Sequence, residues 1–444
     1  MTRKLVDDCF RPNQPRLRHD DALAQLRAAV APTVVAPMSV APTSAAPTFK
    51  AVDVALNDAG GRVLAESVLA VAPVPAHTNA AVDGYAFKWT PQIREMGASL
   101  VVAERVAAGH PLNRPVDTTT AVRIFTGAVI PDGLDTVVMQ EDVEREESEG
   151  RTAVAIPTGL KAGANVRKAG EDVGAGATLF SQGHILRPQD LAALASVGRS
   201  HVACYERVKV AIVSTGDEIR EPGTVPLAPG EVYDANTAML SALAAGTGAQ
   251  VHRLGIWPDT RETVRARLIE AAAKYDVILT SGGASMGEED HMAAVLGEIG
   301  QRHLWQLAVK PGRPMMFGQV RTGNKDTIVV GLPGNPVAVF VCFLMYVYPL
   351  LRAAGGAPWV EPRRFMLPAA FSFSGRKQGR REFWRGRMQQ TAQGLAVEKF
   401  TRDGSGLISG LCWSDGLIDI PEECGDIKQG DPIAFIPFSE FAIP

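Results

Sequence analysis

Apolar and polar positions follow two different periods along this chain, and the places where the period changes divide it into units. Val208-Lys-Val-Ala-Ile-Val213 is an almost continuous apolar run, of the kind buried on both faces of a parallel sheet. A helical pattern follows over Thr237 to Ala245, then a strand near Gln250 to Ile256 and a helix over Arg261 to Lys274. Val277-Ile-Leu-Thr280 precedes a helix over His291 to Gly300, and Thr327 to Val330 leads into an apolar helix, Val337 to Leu351. Strands alternating with helices at this spacing predict a parallel α/β domain over residues 207–355.

The flanks have another texture. Gly84 to Phe87, Ser99 to Ala103, Val122 to Phe125 and Thr136 to Met139 are short β-like runs separated by turns, predicting an inserted β domain over 76–159. Residues 17–75 and 160–206 are mixed and group together as a linker-like domain. A helix is expected there over Ala22 to Val30, after Asp20 and Asp21, and another after Arg187-Pro188. Gly174-Ala-Gly176, just before Thr178-Leu-Phe, reads as a hairpin turn. Residues 31–48 are Ala/Pro-rich, with APT recurring at Ala31, Ala41 and Ala46, and read as an extended connector. From 358 to 444 strands and turns return without a strong helix. The expected fold class is therefore multidomain, α/β and β, in four units.

Composition narrows the function classes. A chain of 444 residues with 46% hydrophobic and 21% charged positions suits a folded protein of several domains. Its net charge of −3 offers no general attraction to nucleic acid or to an anionic membrane, so any anion site must be built locally. The five cysteines are scattered without zinc or disulfide spacing, Cys342 reads as a packed thiol, and a reducing cytoplasm is the expected compartment. The opening residues hold no signal-peptide pattern, and Val337 to Leu351 falls short of the ~20 residues that span a bilayer.

Three of the α/β strands run into loops of small residues: Ser214-Thr-Gly-Asp-Glu218, the segment from Ser281, Gly282 and Gly283 to Asp290, and Gly331-Leu-Pro333-Gly334-Asn335-Pro336. Ligands bind beyond the carboxyl ends of such strands, where glycines admit a close backbone and helix N-termini present free N–H groups. One such loop is an ordinary turn. Three in one domain point to an anion or nucleotide pocket. Carboxylates crowd these loops (Asp217, Glu218, Glu288, Glu289, Asp290, with Asp259 nearby), as a magnesium site with substrate phosphates would need. Asp290 equally suits a cap for the helix at His291. Lys310-Pro-Gly-Arg313 sets two cations in one turn. Arg376, Lys377, Arg380, Arg381, Arg385 and Arg387 form either a solvated strand face or an anion clamp. Neither a P-loop, a dinucleotide GxGxxG nor a nucleophile–base set is present.

Several motifs, in order, resemble the MoeA family of molybdopterin molybdenumtransferases, related to the E domain of gephyrin. They are AVDGYAF (Ala81–Phe87), RIFTGAVIPDGLDTVVMQED (Arg123–Asp142), GEDVGAGATLFSQG (Gly170–Gly183), STGDEI (Ser214–Ile219), DVILTSGGASMGEEDH (Asp276–His291), LAVKPGRPMMFG (Leu307–Gly318) and GLPGNPVAVF (Gly331–Phe340). The resemblance implies an elongated four-domain chain that ends in a β-barrel, with an adenylyltransferase-like α/β domain, and a homodimer. It implies insertion of molybdate into adenylylated molybdopterin with release of AMP, assisted by Mg2+. Partners would be the substrate and molybdate, with the upstream adenylyltransferase and downstream cofactor-delivery proteins as further candidates.

By the same resemblance Asp83, Thr126, Asp172, Glu218, Asp259 and Asp290 are catalytic positions, with Glu218 and Asp290 as metal ligands. Lys310, Pro333, Pro336, Arg385 and Ser405 bind substrate. Ser281, Gly282, Gly283, Arg313, Gly334 and Asn335 join them from the loops read above. Ala80, Ala81 and Val82 before the DGY, Gln306 before the KPG, and His291 after Asp290 depart from the family pattern, and Gln306 weakens the positive field.

Overall fold

The computed structural model describes residues 16–30, 50–148, 150–223, 226–282 and 291–443. Gly283, Asp290 and the 31–48 connector lie outside the described residues.

The α/β unit is built on one six-stranded sheet. Its order is Gln250–Trp257, Lys209–Thr215, Val277–Ser281, Lys325–Leu332, Pro314–Thr322 and Gly300–Gln306. The first four strands are parallel, and the last two are antiparallel. The sheet is thus mixed rather than wholly parallel, because the chain after the helix His291–Ile299 returns as a hairpin on the open edge. Helices pack on both faces, as the doubly buried apolar strands require. Two helices begin at side-chain caps: Asp234 accepts from Thr237 N at 2.9 Å, and Thr260 caps Arg261–Lys274. The apolar helical run Pro336–Ala354 is 19 residues long, and its most apolar 18-residue stretch has a mean hydropathy of 1.9, yet 89% of that stretch is buried inside the protein. It winds as a π-helix over Phe343–Val347 and forms the centre of the largest core cluster. Cys342 is wholly buried there, which pushes its thiol up to about 12.

The linker unit consists of an outgoing and a returning stretch of chain zipped by three short antiparallel ladders. Ala51–Ala55 pairs with His201–Tyr205, Val68–Leu69 with Thr178–Phe180, and Asn79–Ala80 with Val166–Arg167. Thr178–Phe180 therefore finds its partner more than a hundred residues upstream, and Gly174–Gly176 does not close a local hairpin. Leu64, Leu186 and Leu194 fill the small core between the two stretches. At the far end the chain opens into a six-stranded β unit. Its order is Thr136–Met139, Gly84–Phe87, Ala121–Ile124, Ala98–Val106, Arg151–Ile156 and Glu144–Ser148, antiparallel except between the third and fourth strands.

In the C-terminal unit Arg381–Thr391 pairs with both Gly394–Lys399 and Gly416–Ile420, which continues through Pro432–Pro437 to Phe365–Pro368. An isolated bridge between Ala369 and Val397 brings that last strand back to Gly394–Lys399, so the sheet curls almost into a ring. One short helix, Ile408–Trp413, interrupts the strands. Val309–Lys310 adds in parallel to Arg381–Thr391, joining this unit to the α/β unit by a shared ladder.

The N-terminal helix, His19–Val30, packs away from the linker ladders. Its Ala22, Leu23, Leu26 and Val30 are buried in the α/β core against the apolar helix, apart from the linker ladders. An amphipathic pattern says that a face is buried, and says nothing of what covers it. The helix is fastened by buried His19, whose Nδ1 lies 2.8 Å from the Tyr346 hydroxyl. Burial, assisted by the charge of Arg381, lowers the His19 pKa from 6.5 to about 4, against the opposing pull of Asp419 and Asp20. Asp419 itself is buried, which would raise its pKa, yet bonds from Arg381 and Arg364 outweigh this and hold it low. The unfolded chain takes up a proton near pH 6.5 that the folded chain refuses until about 4, so stability is lost as pH falls through that window. We predict a loss of up to about 3 kcal/mol by pH 4. His19→Gln should flatten the pH dependence of the urea midpoint between pH 7 and 5. An unchanged slope would remove this account.

Candidate functional site

Strand register sets the first part of the site. Thr215 lies beside Trp257, Ser214 beside Ser281, and Ser281 beside Leu332, so four carboxyl ends line up along one edge. That edge gathers Glu218, Asp259, Ser281, Gly282, Pro333, Gly334, Asn335 and Pro336. Glu218 is exposed and Asp259 half-buried. Gly282 has φ +86, and a Cβ there would come within 2.8 Å of the Thr215 carbonyl, so this crossing requires glycine. Asn236, at the start of the helix Ala235–Gly246, donates from Nδ2 to Ser281 Oγ and to the Gly334 carbonyl, both at 2.7 Å. It pins two of the three loops together. No sequence reading selected it, because an Asn after a capping Asp looks like ordinary helix-start chemistry.

The second part is a cavity of about 720 Å³ between the α/β and C-terminal units. Lys310, Arg313, Pro333, Gly334, Asn335, Arg385 and Ser405 all line it. Pro336 sits just behind as the first residue of its helix, and Val337 N donates to the Ser405 carbonyl at 2.9 Å. The Lys310–Arg313 turn is packed against the apolar helix. A Cβ on Gly312 (φ +107) would meet Cys342 Sγ at 2.4 Å.

Arg385 is only 7% exposed. It donates to the Leu407 and Arg402 carbonyls at 2.9 and 2.8 Å and lies 4.8 Å from the Phe400 ring centroid. Burial lowers its pKa. It thus clamps the loop bearing Ser405 while its cavity-facing side stays cationic. Phe383, Trp384 and Phe400 give the cavity its apolar wall, and Lys399 a further cation. The Lys399 side chain is 10% exposed, bonded to Asp403 at 2.8 Å and set over the Trp384 and Phe373 rings at 5.2 and 5.4 Å. Phe383 and Trp384 stand side by side between Glu382 and Arg385, so no period-two alternation marks them in the sequence. Lys399 becomes visible only when its strand pairs.

The third part lies in the inserted β unit. Asp83 Oδ1 accepts from Thr126 Oγ1 at 2.7 Å and from Thr126 N at 2.8 Å. These two bonds, the hydroxyl's first, lower the Asp83 pKa and fix its carboxylate in one orientation. Neither residue lines the large cavity. Asp172 is exposed on the linker, where its backbone N bonds the Val74 carbonyl. One chain therefore holds its predicted residues in separate places, with the acids of the β unit and linker apart from the α/β edge. Among the described residues no three His, Cys, Asp or Glu side chains cluster as a metal site.

The arrangement suits a substrate with a flat ring system and several anionic groups. Aromatic walls take the ring, and Lys310, Arg313 and Arg385 face the anions.

Comparison with known proteins covers nearly the whole chain. The family model for the MoeA N-terminal region (domain I and II) matches residues 17–198, and that for the probable molybdopterin binding domain matches 211–353. The model for the MoeA C-terminal region (domain IV) matches 368–438. A molybdopterin molybdenumtransferase of Haemophilus influenzae is 36% identical over 86% of this chain and 93% of its own length. Molybdopterin molybdenumtransferase 2 of Mycobacterium tuberculosis is 34% identical with the same coverage. The crystal structure of a molybdopterin biosynthesis MoeA protein from Pyrococcus horikoshii superposes with a TM-score of 0.78 at 27% identity, covering 95% of this chain and all of the other.

Proposed function

The chain belongs to the MoeA family, and from that premise we propose that it is a molybdopterin molybdenumtransferase, placing molybdate on the dithiolene of adenylylated molybdopterin and releasing AMP. The observation that carries this reading is the large cavity, which sets aromatic walls beside Lys310, Arg313 and Arg385 and adjoins the glycine-rich strand ends. Phe383, Trp384 and Phe400 enclose the ring system and keep water from it. Lys310 and Arg385 offset phosphate charge, with Arg385 held in place by its carbonyl contacts. Asn236 keeps the Ser281 and Gly334 loops at fixed spacing, so the anion and the strand-end acids meet in one geometry.

Magnesium belongs to this proposal as a partner of Glu218 and Asp290. Glu218 stands exposed at the strand edge, and one or two carboxylates with substrate oxygens suffice for this ion. When bound it would stabilise charge developing on the phosphoanhydride. Asp83, Thr126 and Asp172 are assigned to the same reaction in a homodimer, where a cleft would combine the β unit of one chain with the α/β unit of the other. A cytoplasmic setting, with the upstream adenylyltransferase and downstream delivery proteins as partners, completes the proposal. To test it, purified protein is incubated with adenylylated molybdopterin and molybdate, and molybdenum is measured in the pterin fraction. Pterin-bound metal is expected in step with AMP. Free metal alone would overturn the assignment.

A further inference from the structure

The Lys310–Arg313 turn is a wall with a cavity on each side. Behind it, away from the aromatic residues, lies a second cavity of about 340 Å³. Five cations line it, Arg16, Lys310, Arg313, Lys377 and Arg380, and among the described residues no acid does. The acid nearest in the bonding pattern is Glu382, only 4% exposed. It is already engaged, accepting from Arg380 Nε at 3.0 Å and from Trp384 Nε1 at 2.8 Å, with Lys310 Nζ at 3.9 Å. Glu382 thus meets two of these cations, Arg380 and Lys310, in a chain whose net charge is −3.

Such a concentration of like charge costs stability unless an anion offsets it. The backbone supporting it is also fixed in advance. Buried Arg376 donates to the carbonyls of Arg380 (2.6 Å) and Cys424, Gly379 N donates to the Glu422 carbonyl at 3.0 Å, and Gln378 Nε2 to the Glu423 carbonyl at 2.8 Å. These bonds hold the loop that carries Lys377 and Arg380. On the opposite side Leu17 bonds Gln306 O and Ala308 N, which holds the segment carrying Arg16 against the same cavity.

We propose that this second cavity is a binding site for a doubly charged tetrahedral oxyanion, separate from the aromatic cavity and sharing only its Lys310–Arg313 wall. Among the described residues its lining has no aromatic side chain on which a base or a pterin ring would stack. Its occupant is a small free oxyanion. Resting on the transferase reading, that occupant is molybdate, staged across one turn of chain from the substrate that receives it.

The test is equilibrium dialysis of the full chain against molybdate, orthophosphate and AMP separately, at low salt, with Arg16→Ala/Lys377→Ala as the variant. Both side chains are exposed, and Lys377→Arg serves as a charge-keeping control. The double variant should bind molybdate and orthophosphate at least about tenfold more weakly, with AMP affinity unchanged and Lys377→Arg close to wild type. Equal oxyanion binding by variant and wild type would overturn the site. A loss confined to AMP would overturn the free-oxyanion assignment, since the cations would then serve a nucleotide phosphate. If the transferase reading alone is wrong, oxyanion binding and its loss in the variant persist while no AMP is released from the adenylylated substrate.

Discussion

Chains carrying Asp83→Asn and chains carrying Asp290→Asn, each inactive alone, should recover about a quarter of wild-type AMP release when unfolded and refolded together. The motivating observation is the separation within one chain. Asp83 and Thr126 form their bonded pair in the inserted β unit, whereas Lys310, Arg385 and the strand ends face a cavity that neither of them lines. In a twofold dimer each cleft would take its β unit from one chain and its α/β unit from the other. A mixed dimer then has both lesions in one cleft and none in its twin. Random exchange makes about half of all dimers mixed, and half of their clefts are intact. Sites built within single chains would keep one lesion each and recover nothing. Chain exchange is verified with a mass tag. The Asn at 290 also separates two roles: it caps a helix nearly as well as Asp, but is a poor ligand for a hard cation.

Arg385→Met should lower kcat/KM for AMP release by about a hundredfold or more. The substitution keeps the length and apolar stem of the side chain and removes its donors. Two carbonyls, of Arg402 and Leu407, lose charged partners worth about 1.5–3 kcal/mol each. The Ser405 loop is then no longer clamped, and the cavity loses a cation. Arg385→Lys restores the charge without the planar fork, so it should recover substrate affinity in part and turnover little. If Arg385→Lys matched wild type in both KM and kcat, the clamp would have no role and only the charge would matter.

How legible this was in the sequence depended on which contacts define each element. Gly84–Phe87, Thr136–Met139 and Arg261–Lys274 could be read to their ends, since hydrophobic periodicity and flanking turn residues mark them locally. The hairpin Gly300–Gln306 and Pro314–Thr322 could not. Its first strand, GQRHLWQ, has little apolar content, and its second opens on proline and contains Gly318, so they become strands only by pairing with each other and, for the second, with Lys325–Leu332. The two- and three-residue ladders of the linker are invisible for the same reason. At the site, the glycine loops and the KPG turn announced themselves by composition. Asn236 and Lys399 did not, because each acquires its partners from segments distant in sequence.

The most direct measurement of the central claim is AMP release by purified protein from adenylylated molybdopterin, with molybdate and a divalent cation present or withheld. The proposed chemistry joins cleavage of the phosphoanhydride to occupation of the dithiolene, so AMP should appear only when both additions are made. AMP appearing at the same rate without molybdate, or none appearing from authentic substrate with both present, would contradict it.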